Sequence, residues 1–149
     1  MIFSALLLLG GCSDHLTGPS GLAQSYFLVA VDGKPLPIAL PGTTDGTLLL
    51  WRQLNFEIGG RPRRSGTPGR VNYLQSIRTP DQQEHQSTVS LDYSLNGSEL
   101  NINLCPPGAL CLISMELRGT VDPTHDLVLT EYMAGQPGPV YHFAAILPD

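Results

Sequence analysis

Apolar and polar positions alternate along residues 88–95, where Val89, Leu91, Tyr93 and Leu95 are separated by Ser90, Asp92 and Ser94. Successive side chains of a strand point to opposite faces, so this period of two predicts a strand with one buried face. Asn96-Gly97 supplies turn residues of the type I′ kind, and Leu100, Ile102 and Leu104 resume the alternation, which makes an antiparallel hairpin. The pattern recurs at Ile113, Met115 and Leu117, spaced by Ser114, Glu116 and Arg118. After a turn at residues 122–125, Leu127 and Leu129 return the chain, and residues 140–147 close it. Upstream, residues 25–31 are rich in β-formers and end at an Asp32-Gly33 turn. Residues 36–40 form a short extended piece bounded by Pro35, Pro37 and Pro41, which cannot donate to a ladder and belong at an edge. Residues 71–77 predict a strand before a polar loop at 79–86. No stretch shows a helical period. The chain is expected to be all-β, an antiparallel up-and-down meander of about eight to ten strands closing into a small barrel.

Residues 47–58, TLLLWRQLNFEI, fit this pattern least well. One continuous strand would place Arg52 on the same face as Leu48, Leu50, Leu54, Phe56 and Ile58, and an unpaired buried guanidinium is costly. A bend at residues 51–53, giving two short strands, is therefore expected. Residues 59–69 read as loop.

Composition narrows the function. Glycine (16) and proline (13) are too frequent for a helical protein and imply many turns. Charged residues make up 14% of the chain and the net charge is −5, which argues against a nucleic-acid partner. Residues 1–9 are almost wholly apolar, too short to span a bilayer at about 20 residues, and run into Leu9-Gly10-Gly11-Cys12. This tetrapeptide resembles the lipobox of bacterial lipoproteins. The resemblance implies cleavage before Cys12 and a diacylglycerol on its sulfur; Ser13 rather than Asp after the cysteine implies the outer membrane. No cation precedes Lys34, so the natural start of a signal segment is expected upstream. Residues 1–11 then form the signal peptide, 12–24 a lipidated cysteine with a polar tether, and 25–149 one folded domain. With Cys12 lipidated, Cys105 and Cys111 are the two remaining thiols and are expected to form a disulfide in an oxidising compartment.

The segments Tyr26-Phe-Leu-Val-Ala-Val-Asp-Gly-Lys-Pro-Leu-Pro37, 46–58, Tyr93-Ser-Leu-Asn-Gly-Ser-Glu-Leu100, Arg118-Gly-Thr-Val-Asp122 and Tyr141-His-Phe143 together resemble the short lipocalin-like β-barrel lipoproteins of bacteria. The chain shows Gln53-Leu54 where that pattern has Asp-Gly, and it lacks the pattern's final basic residue. The resemblance implies a lipocalin-like barrel and no assigned activity.

Candidate chemistry is sparse. Asp81, Glu84 and His85 cluster in one loop without a metal-ligand spacing, His125 sits in a turn between Asp122 and Asp126, and His142 alternates outward between Tyr141 and Phe143. No serine lies in a G-x-S-x-G elbow and no glycine loop is built for phosphate, so the chain is expected to be neither an enzyme nor a metal or cofactor protein. Arg61, Arg63, Arg64 and Arg70, with Arg52 and Arg78 nearby in sequence, suit contact with an anion or an acidic partner. The expected function is a lipid-anchored extracytoplasmic barrel in the cell envelope, held to the membrane through Cys12 and binding a small hydrophobic molecule. The alternative is a filled barrel acting as a structural or interaction module toward an envelope protein; a hydrolase is the remote third.

Overall fold

The computed structural model describes residues 21–57, 68–121 and 126–146. Cys12, Arg61, Arg63, Arg64, His125 and the 122–125 turn lie outside them. The described residues form ten strands: β1 (Ser25–Val31), β2 (Lys34–Pro35), β3 (Ile38–Ala39), β4 (Leu48–Phe56), β5 (Gly69–Arg78), β6 (Glu84–Asn96), β7 (Glu99–Asn103), β8 (Met115–Val121), β9 (Leu127–Met133) and β10 (Gln136–Ile146). β4 to β10 pair in sequence, each antiparallel to the next; β10 pairs with β1, and β1 closes the ring on β4. The result is an eight-stranded barrel in which β2 and β3 add two-residue edges beside β1 and β4. Pro35 ends one of these edges, as a residue without an N–H must.

Three two-residue turns carry positive φ where the hairpins need it. Asp32 and Gly33 (φ 49° and 74°) and Ala134 and Gly135 (49° and 78°) are left-handed at both central positions, as a type I′ turn requires. Asn96-Gly97 differs from the expectation. Asn96 ends β6, so the central residues are Gly97 and Ser98, and only Gly97 is left-handed (φ 64°), the type II′ arrangement. The loop expected at 79–86 is also shorter. β6 already begins at Glu84, where Arg78 and Glu84 pair across the strands at 2.6 Å, so Glu84 and His85 are strand residues. Ile113, by contrast, belongs to the loop before β8.

The interior is sorted along the barrel axis. At the end where β1 begins and β10 stops, Tyr26, Leu28, Leu54, Phe56, Val71, Leu91, Leu127 and Phe143 are almost completely buried. Leu22 and Ala23, just before β1, are buried in the same cluster; Ala23 N–H donates to the Tyr26 hydroxyl at 2.7 Å, and Phe56 N–H donates to Gln24 O at 2.8 Å. Phe56 meets the edges of Tyr26 and Tyr93, with centroids 5.8 and 5.0 Å apart. We call this filled end the near end. The far end holds the loops 32–47, 79–83 and 104–114 and the β9–β10 turn. There Cys105 and Cys111 lie at disulfide distance, 2.05 Å between sulfurs, closing a loop that carries no charged residue.

Two glycines permit the packing. Tyr93 lies over Gly69, its cross-strand partner, where a Cβ would stand 2.2 Å from the ring. At Gly119 in β8 a Cβ would fall 1.9 Å from the carbonyl oxygen of Val128. Backbone cannot swing aside as a side chain can, so the β8–β9 ladder must open to admit even a methyl group. Gly119→Ala is expected to destabilise the protein by about 2 kcal/mol, as overpacking does, measured as a fall in the midpoint of denaturant unfolding with an unchanged slope.

Candidate functional site

β4 is one strand, not two, and Arg52 does face the interior. A bulge between Leu49 and Trp51 absorbs the extra residue, so Leu49 rather than Leu48 or Leu50 joins Arg52, Leu54 and Phe56 on the inner face. The guanidinium is tolerated because two other strands supply aromatic faces. Its carbon lies 4.9 Å from the Tyr73 ring centre and 4.8 Å from that of Tyr141. Nη2 donates to Gln75 Oε1 at 2.9 Å, from the residue paired with Arg52 across β4 and β5. Arg52 is 5% exposed, and its Nε and Nη1 are buried without a hydrogen-bond partner among the described residues.

The polar layer continues outward. The Tyr141 hydroxyl donates to Glu131 Oε2 at 2.7 Å. Glu131 extends the inward alternation of Leu127 and Leu129 along β9, and β10 is bulged opposite it between Pro137 and Val140. Burial pushes the Tyr141 phenol well above its ordinary value; the Arg52 charge opposes this, and Glu131 adds to it. Tyr73 keeps some accessible surface as a residue, but its hydroxyl is desolvated and pushed up to about 12, with Arg52 opposing and Glu131 adding. Burial also raises Tyr26, partly offset by its bond from Ala23.

Glu131 forms part of the wall of a cavity of about 380 Å³ at the far end. Pro41, Ile113, Met133, Pro137 and Pro139 supply most of the rest, and among the described residues Glu131 is the one charged residue lining it. Arg52, Gln75, Tyr141 and Glu131 thus form a polar stripe through an interior that is otherwise filled by apolar side chains, Leu49 and Val31 among them, and the hollow lies at the far-end rim. A second hollow, about 570 Å³, lies on the outer wall, where Ser94, Asn101, Arg118 and Thr130 form one cross-strand row. Two of its lining groups are engaged: Asn101 and Arg118 both donate to Glu116, and Arg118 stacks on Tyr132 at 5.0 Å; Glu99 and Asn96 also line it. Arg118 thereby holds the Glu116 carboxyl below its ordinary value, with Asn101 adding. The far-end cavity is smaller but apolar and built from the barrel's own mouth, and there we place the candidate site.

The residues singled out from the sequence are dispersed. Arg70 pairs with Asp92 at 3.2 Å near the start of β5, whereas Arg78 lies at the opposite end of that strand and Arg52 is inside the barrel, so the three do not form one patch. Asp81 accepts from Thr79, which lowers its pKa. His142 is exposed on the outer face, and no group of three metal-ligating side chains occurs among the described residues. Tyr73, Gln75, Glu131 and Tyr141 were not singled out. Their signal was present in the period of two: Val71, Tyr73 and Gln75 share a face, as do Leu129 and Glu131.

Two expectations follow. The raised phenols hold their protons more tightly in the folded state, so their contribution to stability is complete below about pH 10 and is lost as pH rises, through about 12 for Tyr73. Ultraviolet titration of the native protein should show Tyr26, Tyr73 and Tyr141 ionising above the ordinary tyrosine range, and denaturant should return them to it. For Arg52, two cation–π contacts at up to about 2 kcal/mol each and one charge-assisted hydrogen bond stand against a desolvation cost of several kcal/mol. These nearly balance, so Arg52→Met, which keeps the length of the side chain, should change the unfolding free energy by less than about 2 kcal/mol in either direction. No family model matches this chain, and neither a curated protein nor a solved structure matches it.

Proposed function

We propose that the protein is an extracytoplasmic binding module, tethered to the cell envelope through acylated Cys12, whose barrel takes a small, largely apolar molecule at its far end. The observation that carries this reading is the far-end cavity of about 380 Å³. An eight-stranded barrel is just wide enough to be filled by side chains or to hold one small ligand, and cavities of about 300–1,000 Å³ with few polar groups are the usual ligand sites. The lipobox resemblance supports the anchor, and Cys105 and Cys111 at bonding distance agree with an oxidising compartment. The resemblance to lipocalin-like lipoproteins supports the same reading through its barrel.

A second reading is favoured by one observation. Leu110 and Leu112, on either side of Cys111, are 93% and 95% exposed. A stapled, uncharged loop with two bare leucines suits presentation to an envelope protein, with no small molecule involved.

Native mass spectrometry of the protein extracted from its own membrane should show acyl mass on Cys12 and a retained small molecule. Acylation without a retained molecule would favour the second reading. Cys12→Ser should move the protein from the membrane fraction to the soluble fraction; continued sedimentation with membranes would overturn the anchor.

A further inference from the structure

We infer that the far-end cavity selects a ligand with an apolar body and a cationic, hydrogen-bond-donating end, and that Glu131 is the group that receives that end. The inference rests on the binding reading above and adds to it the chemistry of the ligand's polar terminus.

A carboxylate is expensive on the wall of a mostly apolar cavity unless something pairs with it. Glu131 is there because β9 keeps its alternation, and it is held there by Tyr141, whose hydroxyl donates to Oε2. That bond occupies one oxygen. Oε1 has no hydrogen-bond partner among the described residues and is not sealed from the surface, and the residue lines the cavity. Among the described residues the remaining lining offers the amide of Gln136 but no second charge.

Arg52 is the cation that could have neutralised Glu131 directly, and it does not. No Arg52–Glu131 ion pair forms; the guanidinium is turned between the Tyr73 and Tyr141 rings with its bond to Gln75. Tyr141 connects the two, with Arg52 over its face and Glu131 on its hydroxyl. The buried cation thus sits behind an aromatic ring, while the anion forms part of the cavity wall. An anionic ligand end would meet Glu131 first and be repelled. A protonated amine would donate to Oε1, with its hydrocarbon part against Pro41, Ile113, Met133 and Pro139.

Three isosteric probes test this on the full chain: cyclohexylmethylamine, cyclohexylmethanol and cyclohexanecarboxylate, followed by calorimetry and by the NMR shifts of the Ile113 and Met133 methyls. The amine should bind at least about tenfold more tightly than the alcohol, with the carboxylate weakest. Glu131→Gln should remove the amine's advantage, bringing it to within about twofold of the alcohol measured on the same variant. Tyr141→Phe, which removes only the donor to Oε2, should narrow the amine preference without abolishing it and serves where Glu131→Gln does not fold. A carboxylate that binds most tightly, or an amine preference that survives Glu131→Gln, would overturn the role of Glu131 and leave the cavity as a binding site. Should none of the three shift either methyl, the cavity reading itself falls, and this inference with it.

Discussion

The arrangement turns on one constraint: a guanidinium placed inside an eight-stranded barrel must be made tolerable by groups from elsewhere in the chain. Arg52 has no carboxylate at ion-pair distance among the described residues. What it has is two ring faces, from β5 and β10, and one amide oxygen, so three strands must be in register before the residue can be buried at all. The guanidinium therefore sits within an otherwise apolar interior: Leu54 and Phe56 lie buried on its near-end side and Leu49 and Val31 on its far-end side, while Tyr141 and Glu131 lead from it toward the mouth.

Fold class was legible because alternation is a local signal. The β6–β7 hairpin, the β1 strand and the closing β10 could all be read from residues only two apart, although β6 and β10 each begin four residues earlier than the pattern places them and the β6–β7 turn is shifted by one residue. The failures are instructive because they share a cause. Arg52 argued for a bend in β4 because its compensation comes from Tyr73 and Tyr141, residues 21 and 89 positions away that no local pattern joins to it. The bulge that brings Leu49 inward is equally silent, since it is a property of the pairing with β5 rather than of β4 alone. Glu131 was visible in principle. A charged residue continuing an inward series is either an error in the strand or a site, and here the strand is continuous.

The arginines make the same point from the other side. Proximity in sequence suggested one basic region, yet β5 alone carries Arg70 and Arg78 to opposite ends of the barrel, where each meets a carboxylate on β6. Exposed pairs of this kind contribute about 0–1 kcal/mol each. They fasten the β5–β6 hairpin at its two ends.

The two chain directions leave the barrel together. Ser25 pairs with Ile146, so the described polypeptide enters and exits at the near end, beside the plug formed by Leu22 and Ala23. The cavity and the stapled loop with Leu110 and Leu112 occupy the opposite pole. Whatever is joined to either end of the domain, be it an acyl chain, an affinity tag or the surface of a biosensor, holds the molecule by its base and presents its mouth outward. The barrel is in this sense a cup with both handles underneath, and immobilising it by a terminus leaves the rim free.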